Sequence, residues 1–475
     1  MNLRGDYVLY WMVAARRTSW SFALDRALAY ARKLDRPLLV LEALRADYEW
    51  ASDRIHAFVL QGMADNARAF AAAGITYLPY VEPAPGEGKG LVETLARRAC
   101  IVITDEQPGF FIPRMVAAMA SRVSVAVETV DGNGILPLRA LDRAYPTAVT
   151  FRRQLQKIGY PHLLARPNPA PLARLPRSVR DADIVGRVLA KWPVAPPGLL
   201  AAHPDALARL SISHLVAPVP YAGGSRSAAA ELDVFIANRL PRYAERSHPD
   251  ADAASGLSPY LHFGHISPHQ IVARVWDAAQ WDPARIADAK ATGSRQGWWG
   301  LPAESEAFLD ELITWRELGY GFCFHRADHA QLAALPPWAR ATLAKHAADP
   351  RLVHYSRETL ELARTADPVW NAAQRELLAT GRIQNYLRML WGKKIIEWSA
   401  SPRAALATLI ELNNKYAIDG RDPNSYSGIL WCLGLFDRPW GPERPIFGTV
   451  RYMSSASTLR KLRMKQYLAR WSSAQ

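Results

Sequence analysis

Cysteine is scarce in this chain of 475 residues: there are three, Cys100, Cys323 and Cys432, and no two form a pair motif. That excludes a disulfide-stapled scaffold and a thiol-rich zinc site, and it fits a reducing cytosol. No apolar run approaches the length of a membrane span. The apolar stretch from Tyr7 to Ala15 lacks a basic leader and a cleavage site, so it reads as a first strand. No Gly-x-Gly-x-x-Gly follows it, and no Gly-x-Ser-x-Gly elbow occurs anywhere. In Gly86-Glu87-Gly88-Lys89-Gly90 a glycine stands after the lysine, where a phosphate loop needs Ser or Thr, so this is a plain loop. His262, His265 and His269 come with no cysteine and no acid within the cluster, and Ser267-Pro268 reads as a helix cap, which argues against zinc.

What is present is charge of one sign. The net charge is +14, on an ordinary globular background of 49% hydrophobic and 21% charged residues. From Arg375 onward there are 16 Lys or Arg against 7 Asp or Glu, and the same region holds Trp391, Trp398, Trp431, Trp440 and Trp471. Cations interleaved with aromatic rings suit nucleic acid, because phosphates attract the charge and unpaired bases stack on the rings. Composition alone fits a solvated arginine surface equally well.

The length implies two domains. Over residues 1–160, short apolar runs at Tyr7–Val13, Pro37–Leu41, Ile75–Tyr80, Ile101–Thr104 and Val123–Val127 alternate with helix-period segments at Ser21–Leu34, Arg54–Ala73, Leu91–Ala99 and Ile112–Ala120. This alternation predicts an α/β, Rossmann-like domain with a parallel sheet covered by helices. Residues 161–225, rich in Pro, Arg and Ala, read as an interdomain linker with one helix near Val179–Lys191. Residues 226–475 read as a large all-α domain, including a long helix over Glu304–Phe324.

Within that helical part, Arg382 to Trp398 reads as one helix, with Trp391 and Trp398 seven residues apart on one face. Glu311 and Trp315 are four apart on another helix; on spacing alone they are a structural pair. Ser255-Gly256-Leu257-Ser258 has the small and hydroxyl residues that approach phosphates, and also those of an ordinary helix start. Each signal is weak singly; their agreement is what counts.

Together, Tyr10-Trp11-Met12, Ala51–Arg54, Ser255–Gly264, Phe308–Leu312, Trp315-Arg316-Glu317, Asp367–Ala372, Arg382–Trp398, Asp419–Asn424 and Phe447–Ser454 resemble class II cyclobutane pyrimidine dimer DNA photolyases, of the photolyase/cryptochrome family, nearly end to end. The resemblance implies a lyase whose FAD, active as FADH⁻, passes an electron under blue light to a flipped-out dimer in double-stranded DNA and opens its ring. It implies a monomeric, cytoplasmic protein with an antenna-type N-terminal domain for a possible second chromophore, whose identity no motif here selects. The other reading is a cryptochrome-like blue-light sensor without repair. Against it, the chain stops soon after Trp471 and the lesion-facing residues are all present.

Roles carry over by position. Tyr243, Ser255, Leu257 and Ser258 are expected at the FAD phosphates or adenosine. Asn413 should face flavin N5, with Arg388 and Asp419 as an ion pair beside the ring and Asp422 and Asn424 behind it. Glu311 should hydrogen-bond the dimer, packed by Trp315, Met389, Trp431 and Tyr386. Arg438 and Trp440 should enter the gap in the DNA. Trp391, Trp370 and Trp398 should carry electrons from the surface to FAD. Gln384, His248 and Gln270 depart from residues common in relatives, where His, Asn and Arg are expected.

Overall fold

The computed structural model describes residues 1–184 and 186–472, which divide into two compact units. The first comprises Met1–Ala140, Pro161–Asp233 and Leu257–Gln280. Its centre is a five-stranded sheet in the order β3-β2-β1-β4-β5. The strands are β1 (Tyr7–Met12), β2 (Leu38–Leu44), β3 (Thr76–Val81), β4 (Ala99–Asp105) and β5 (Val127–Val130), and every pairing is parallel.

Burial on both faces explains why these strands read as continuous apolar runs. Tyr7, Leu9 and Trp11 of β1 enter one core with Leu39, Leu41 and Val102. Val8, Tyr10 and Met12 point the other way, into a core shared with Ala23, Leu24, Ala27 and Leu28 of helix α1 (Phe22–Leu34). Ser21 caps α1 by accepting from the Leu24 N–H. Helix α2 (Asp53–Ala73) ends at Gly74, whose φ of 69° lies in the left-handed region that glycine enters without strain. Helices α3 (Leu91–Ala96) and α4 (Ile112–Ala120) complete the alternation. At the carboxyl end of β4, Asp105 accepts from the backbone N–H groups of Val13, Ala14 and Ala15 and from the Tyr10 hydroxyl.

One strand differs from expectation. The apolar run Val123–Val127 precedes most of β5, which spans Val127–Val130. Val125 is buried in the core from the turn before the strand, so its apolar character marks packing and not ladder pairing. The Pro-rich stretch also contributes core residues: Ala182, Val188 and Trp192 pack on one side of the sheet, Leu175 and Val179 on the other. In place of the single helix expected near Val179–Lys191 there is a 3-10 turn at Arg177–Val179 and a helix at Gly186–Lys191; Val185 between them lies outside the described residues. The glycine-rich loop needs no phosphate, since the Glu82 carboxylate accepts from the N–H groups of Gly86 and Gly88.

His265 and His269 of the first unit serve packing. His265 Nδ1 accepts from the Gly224 N–H, and His269 Nε2 pairs with the Gly134 carbonyl. Burial pushes their pKa values down to about 3 and about 4, so both rings are neutral.

The second unit comprises Leu141–Tyr160, Val234–Gly256 and Trp281–Gln475 and contains no strand among its described residues. Its principal helices include α5 (Pro368–Thr380), α6 (Asn385–Trp398), α7 (Pro402–Tyr416) and α8 (Pro423–Cys432). Asp367, Ser401 and Asp422 cap α5, α7 and α8, each followed by Pro at the first helical position. The long helix expected over Glu304–Phe324 is present in three runs, Ala303–Leu309, Asp310–Trp315 and Arg316–His325, and the middle run is π-helical.

Gly264 shows how tightly the first unit is closed. Its φ is 70°, and a Cβ there would lie 1.8 Å from the Ala14 carbonyl oxygen. Gly264→Ala should therefore cost about 2–4 kcal/mol and lower the apparent melting temperature by several degrees. Calorimetry on the variant checks this; an unchanged melting temperature would mean that the two segments do not meet so closely.

Candidate active site

The candidate site of the second unit is built around α6. Its N-terminus is capped by Gln384, whose Oε1 accepts from the Leu387 N–H at 3.1 Å while its Nε2 donates to the Arg246 carbonyl at 2.6 Å. The residue that departs from the expected histidine thus occupies both ends of its amide.

Three indoles form a continuous chain inside the unit. Trp370 and Trp391 are stacked with centroids 6.4 Å apart and planes 4° from parallel. Trp370 and Trp398 meet edge-on at 5.4 Å. The Trp370 indole N–H donates to the Trp391 carbonyl, and the Trp391 indole N–H donates to Gln374 Oε1. Buried indole nitrogens need such partners. Trp370 is fully buried and Trp398 is 8% exposed, so the chain runs outward through Trp370. The Tyr355 ring lies edge-on to Trp398 at 5.0 Å, a neighbour that spacing could not foretell.

At the junction of α7 and α8, Asn413 is buried and its Nδ2 donates to Asn414 Oδ1. Asn414 Oδ1 also accepts from the Arg421 N–H at 2.9 Å. A backbone N–H can only donate, which fixes the Asn414 amide and makes the Asn413 atom facing it the nitrogen. The Asn413 amide oxygen is thereby its side chain's acceptor. Arg388 of α6 and Asp419 form an ion pair at 3.1 Å, half-sheltered from water. Asp422 is bound structurally: it caps α8, accepts from the Asn424 amide and accepts from the Tyr320 hydroxyl at 2.9 Å. Asn424 is thus tied to that cap.

A second cluster gathers round the π-helical run, a geometry frequent at functional sites. Glu311 and Trp315 both lie on it. Trp315 stacks on Trp431 of α8 with centroids 4.5 Å apart and planes 15° from parallel. Glu311 pairs with Arg246 at 3.2 Å, and the Arg246 guanidinium lies 4.6 Å over the Tyr243 ring. Burial raises the Glu311 pKa, and the Arg246 charge opposes it. Tyr243 packs edge-on to Phe235 and Phe308. Arg246 was missed in the sequence, where one more arginine in a basic chain gives no signal.

The remaining predicted residues fall as follows. Met389 Sδ lies 3.9 Å from Cys432 Sγ. Tyr386 carries the Lys461 ammonium 4.8 Å from its ring centroid. Trp440 is 37% exposed between the guanidinium groups of Arg438 at 4.3 Å and Arg451 at 5.3 Å, and its indole N–H donates to Asp437. Ser255 lies in a loop of the second unit, whose neighbouring Gly256 carbonyl accepts from Arg382. Leu257 and Ser258 belong to the first unit, the former buried, the latter exposed on the short helix Ser258–His262. His248 Nδ1 accepts from the Arg463 N–H.

No family model matches the chain. Among curated proteins, the deoxyribodipyrimidine photo-lyase of Methanothermobacter thermautotrophicus is 33% identical over 99% of this chain and 95% of its own length. The chain belongs to the deoxyribodipyrimidine photo-lyase family. The family member from Oryza sativa subsp. japonica is 33% identical over 98% of this chain and 87% of its own length. In the solved structures, a class III photolyase from Agrobacterium tumefaciens aligns with TM-score 0.67 at 17% identity, over 99% of this chain and 87% of that one. A Synechocystis cryptochrome aligns with TM-score 0.72 at 15% identity, over 98% of this chain and 88% of that one. Those identities speak to the fold alone, which this chain shares: a parallel sheet with helices at the N-terminus and a large helical remainder.

Removing the Arg246 charge leaves Glu311 with burial unopposed. Arg246→Ala should therefore move the Glu311 pKa upward. Infrared titration of the carboxylate band, with Glu311→Gln to identify it, reads the shift; a downward shift would mean that the guanidinium is not its charge partner.

Proposed function

We propose that this protein is a class II cyclobutane pyrimidine dimer photolyase that binds FAD in the helical unit and repairs dimers in double-stranded DNA under blue light. The observation that carries the reading is the Glu311 acid beside the stacked Trp315–Trp431 pair, an apolar shelf with one carboxyl group at its edge. Family membership supports the activity class, and the residue geometry supports the finer assignment.

The residues fit FAD. Asn413 is buried with its oxygen as the remaining acceptor, and the Arg388–Asp419 pair offers a guanidinium and a carboxylate to a polar heteroaromatic edge. When bound and reduced, FAD would supply under light the electron that splits the ring and would recover it afterwards, with no net oxidation. Asn413 would hold the N5 edge of the bound group, and Arg388 would balance negative charge there. Tyr243 and Ser255, both of the helical unit, would serve the phosphate and adenosine end.

Trp315, Trp431, Met389 and Tyr386 enclose the flipped-out dimer. Their apolar surface excludes water and takes up a lesion that is already poorly paired in the duplex. Glu311 hydrogen-bonds the dimer side, where negative charge develops; burial raises its pKa and the Arg246 charge opposes that shift. Arg438 and Trp440 fill the space vacated in the DNA. Trp398, Trp370 and Trp391 would relay electrons inward from a reductant at the surface to the bound cofactor. The α/β unit is the place for an antenna chromophore, and the protein acts as a soluble monomer in the cytoplasm.

Purified reduced protein mixed with an oligonucleotide carrying one thymine dimer should restore base absorbance under blue light and not in the dark. No recovery by protein that holds reduced FAD would overturn the repair reading in favour of light sensing. Glu311→Ala should lower repair at least tenfold with FAD retained; loss of FAD would remove Glu311 from the lesion side. Trp391→Phe should abolish photoreduction yet spare repair by chemically reduced enzyme, and undiminished photoreduction would take Trp391 out of the relay. Binding to damaged duplex should weaken steeply with salt.

A further inference from the structure

Lys393 of α6 is 1% exposed and ranks with the large, fully buried side chains. Its neighbour Lys394 pairs with Asp367 and Glu397, but no carboxylate forms an ion pair with Lys393 among the described residues. A buried, unpaired ammonium is costly unless its hydrogen bonds are good. The Lys393 Nζ donates to the Cys432 carbonyl at 2.6 Å. Cys432 is the last residue of α8, so this carbonyl is one of those a helix leaves without an internal partner, at the end where its dipole is negative.

Two features make this more than a helix cap. Trp431, which stacks on Trp315, immediately precedes Cys432. Helices α6 and α8 also meet closely there, since a Cβ on Gly392 would lie 2.5 Å from Cys432 Sγ. The charged side chains that act on Lys393 are Asp437, favourably, and Arg451, unfavourably. Asp437 holds the Trp440 indole, and Arg451 lies against the same ring.

We propose that Lys393 is a positioning residue that anchors the C-terminal end of α8, and with it Trp431 and the Asp437–Trp440 segment, in the geometry that recognises a dimer in DNA. The proposal rests on the reading that Trp431 and Trp440 face the DNA. Lys393 touches no reacting group in this scheme and acts through the Cys432 carbonyl. Burial lowers its pKa to about 8, whereas burial holds the Cys432 thiol up at about 11, so Lys393 titrates first. A lysine with a lowered pKa is charged below that value and neutral above it. The charge-assisted bond therefore weakens as pH rises through about 8.

The test compares holoprotein binding to dimer-containing and undamaged duplexes of the same sequence, by fluorescence anisotropy from pH 7 to pH 9. The ratio of the two affinities cancels the general attraction for phosphate. In the wild type this ratio should fall severalfold across the range. Lys393→Gln, which retains a donor without the charge, should give a lower and flat ratio with FAD content unchanged. Lys393→Met should lose about tenfold in the ratio at pH 7.

A flat wild-type profile, or wild-type discrimination in Lys393→Gln, would overturn the proposal. If Lys393→Met fails to fold, the wild-type and Lys393→Gln profiles decide. Trp431→Ala tests the underlying reading separately: full discrimination in that variant would show that the lesion face lies elsewhere and would overturn both. Lost discrimination in Trp431→Ala with none lost in Lys393→Gln would overturn the positioning role alone.

Discussion

The indole N–H of Trp391 is buried, and it has to be paired. It donates to Gln374 Oε1, and the backbone carbonyl of the same residue takes the indole N–H of Trp370. Much of the helical unit follows from this requirement that polar groups in a dry interior be satisfied. It fixes the spacing of α5 and α6, and so brings the Trp370 and Trp391 rings parallel at 6.4 Å. The same requirement places Lys393 under the last carbonyl of α8. Hydrogen bonds that are modest in water become strict positional constraints when no solvent can replace them.

The clusters differ in how firmly they are held. Asn413 is fixed through Asn414 and the Arg421 backbone, a short local circuit that leaves one defined acceptor. Glu311 instead sits on a π-helical run and answers to an arginine 65 positions earlier in the chain. Its raised pKa is a balance between burial and that charge. Trp440 is exposed and steadied by two guanidinium groups and one carboxylate. The gradient from buried amide to exposed indole suits the proposed repair site, which would keep a cofactor and release a polymer.

Strand–helix alternation and apolar runs made the first unit's architecture legible, because a sheet buried on both faces leaves continuous hydrophobic segments. The exception, Val123–Val127, shows the limit of that signal. An apolar residue such as Val125 records burial, and burial does not require ladder pairing. The three-indole chain was legible only as a set of candidates, and the seven-residue spacing of Trp391 and Trp398 placed them on one face. That Trp370 from another helix stands between them depends on packing.

The elements, their caps and the types of residue available for chemistry are legible along the chain, since these depend on neighbours within a few positions. Ser21, Asp367, Ser401 and Asp422 cap helices because each stands beside the first turn it serves. The partners follow from packing. Arg246 meets Glu311, Lys393 meets the Cys432 carbonyl, and Gln384 bridges two segments, all across separations that no local pattern encodes. Packing also brings the Tyr320 hydroxyl to Asp422, the cap of α8. Local propensity fixes where a chain turns; which polar groups then find each other is settled by how the helices pack.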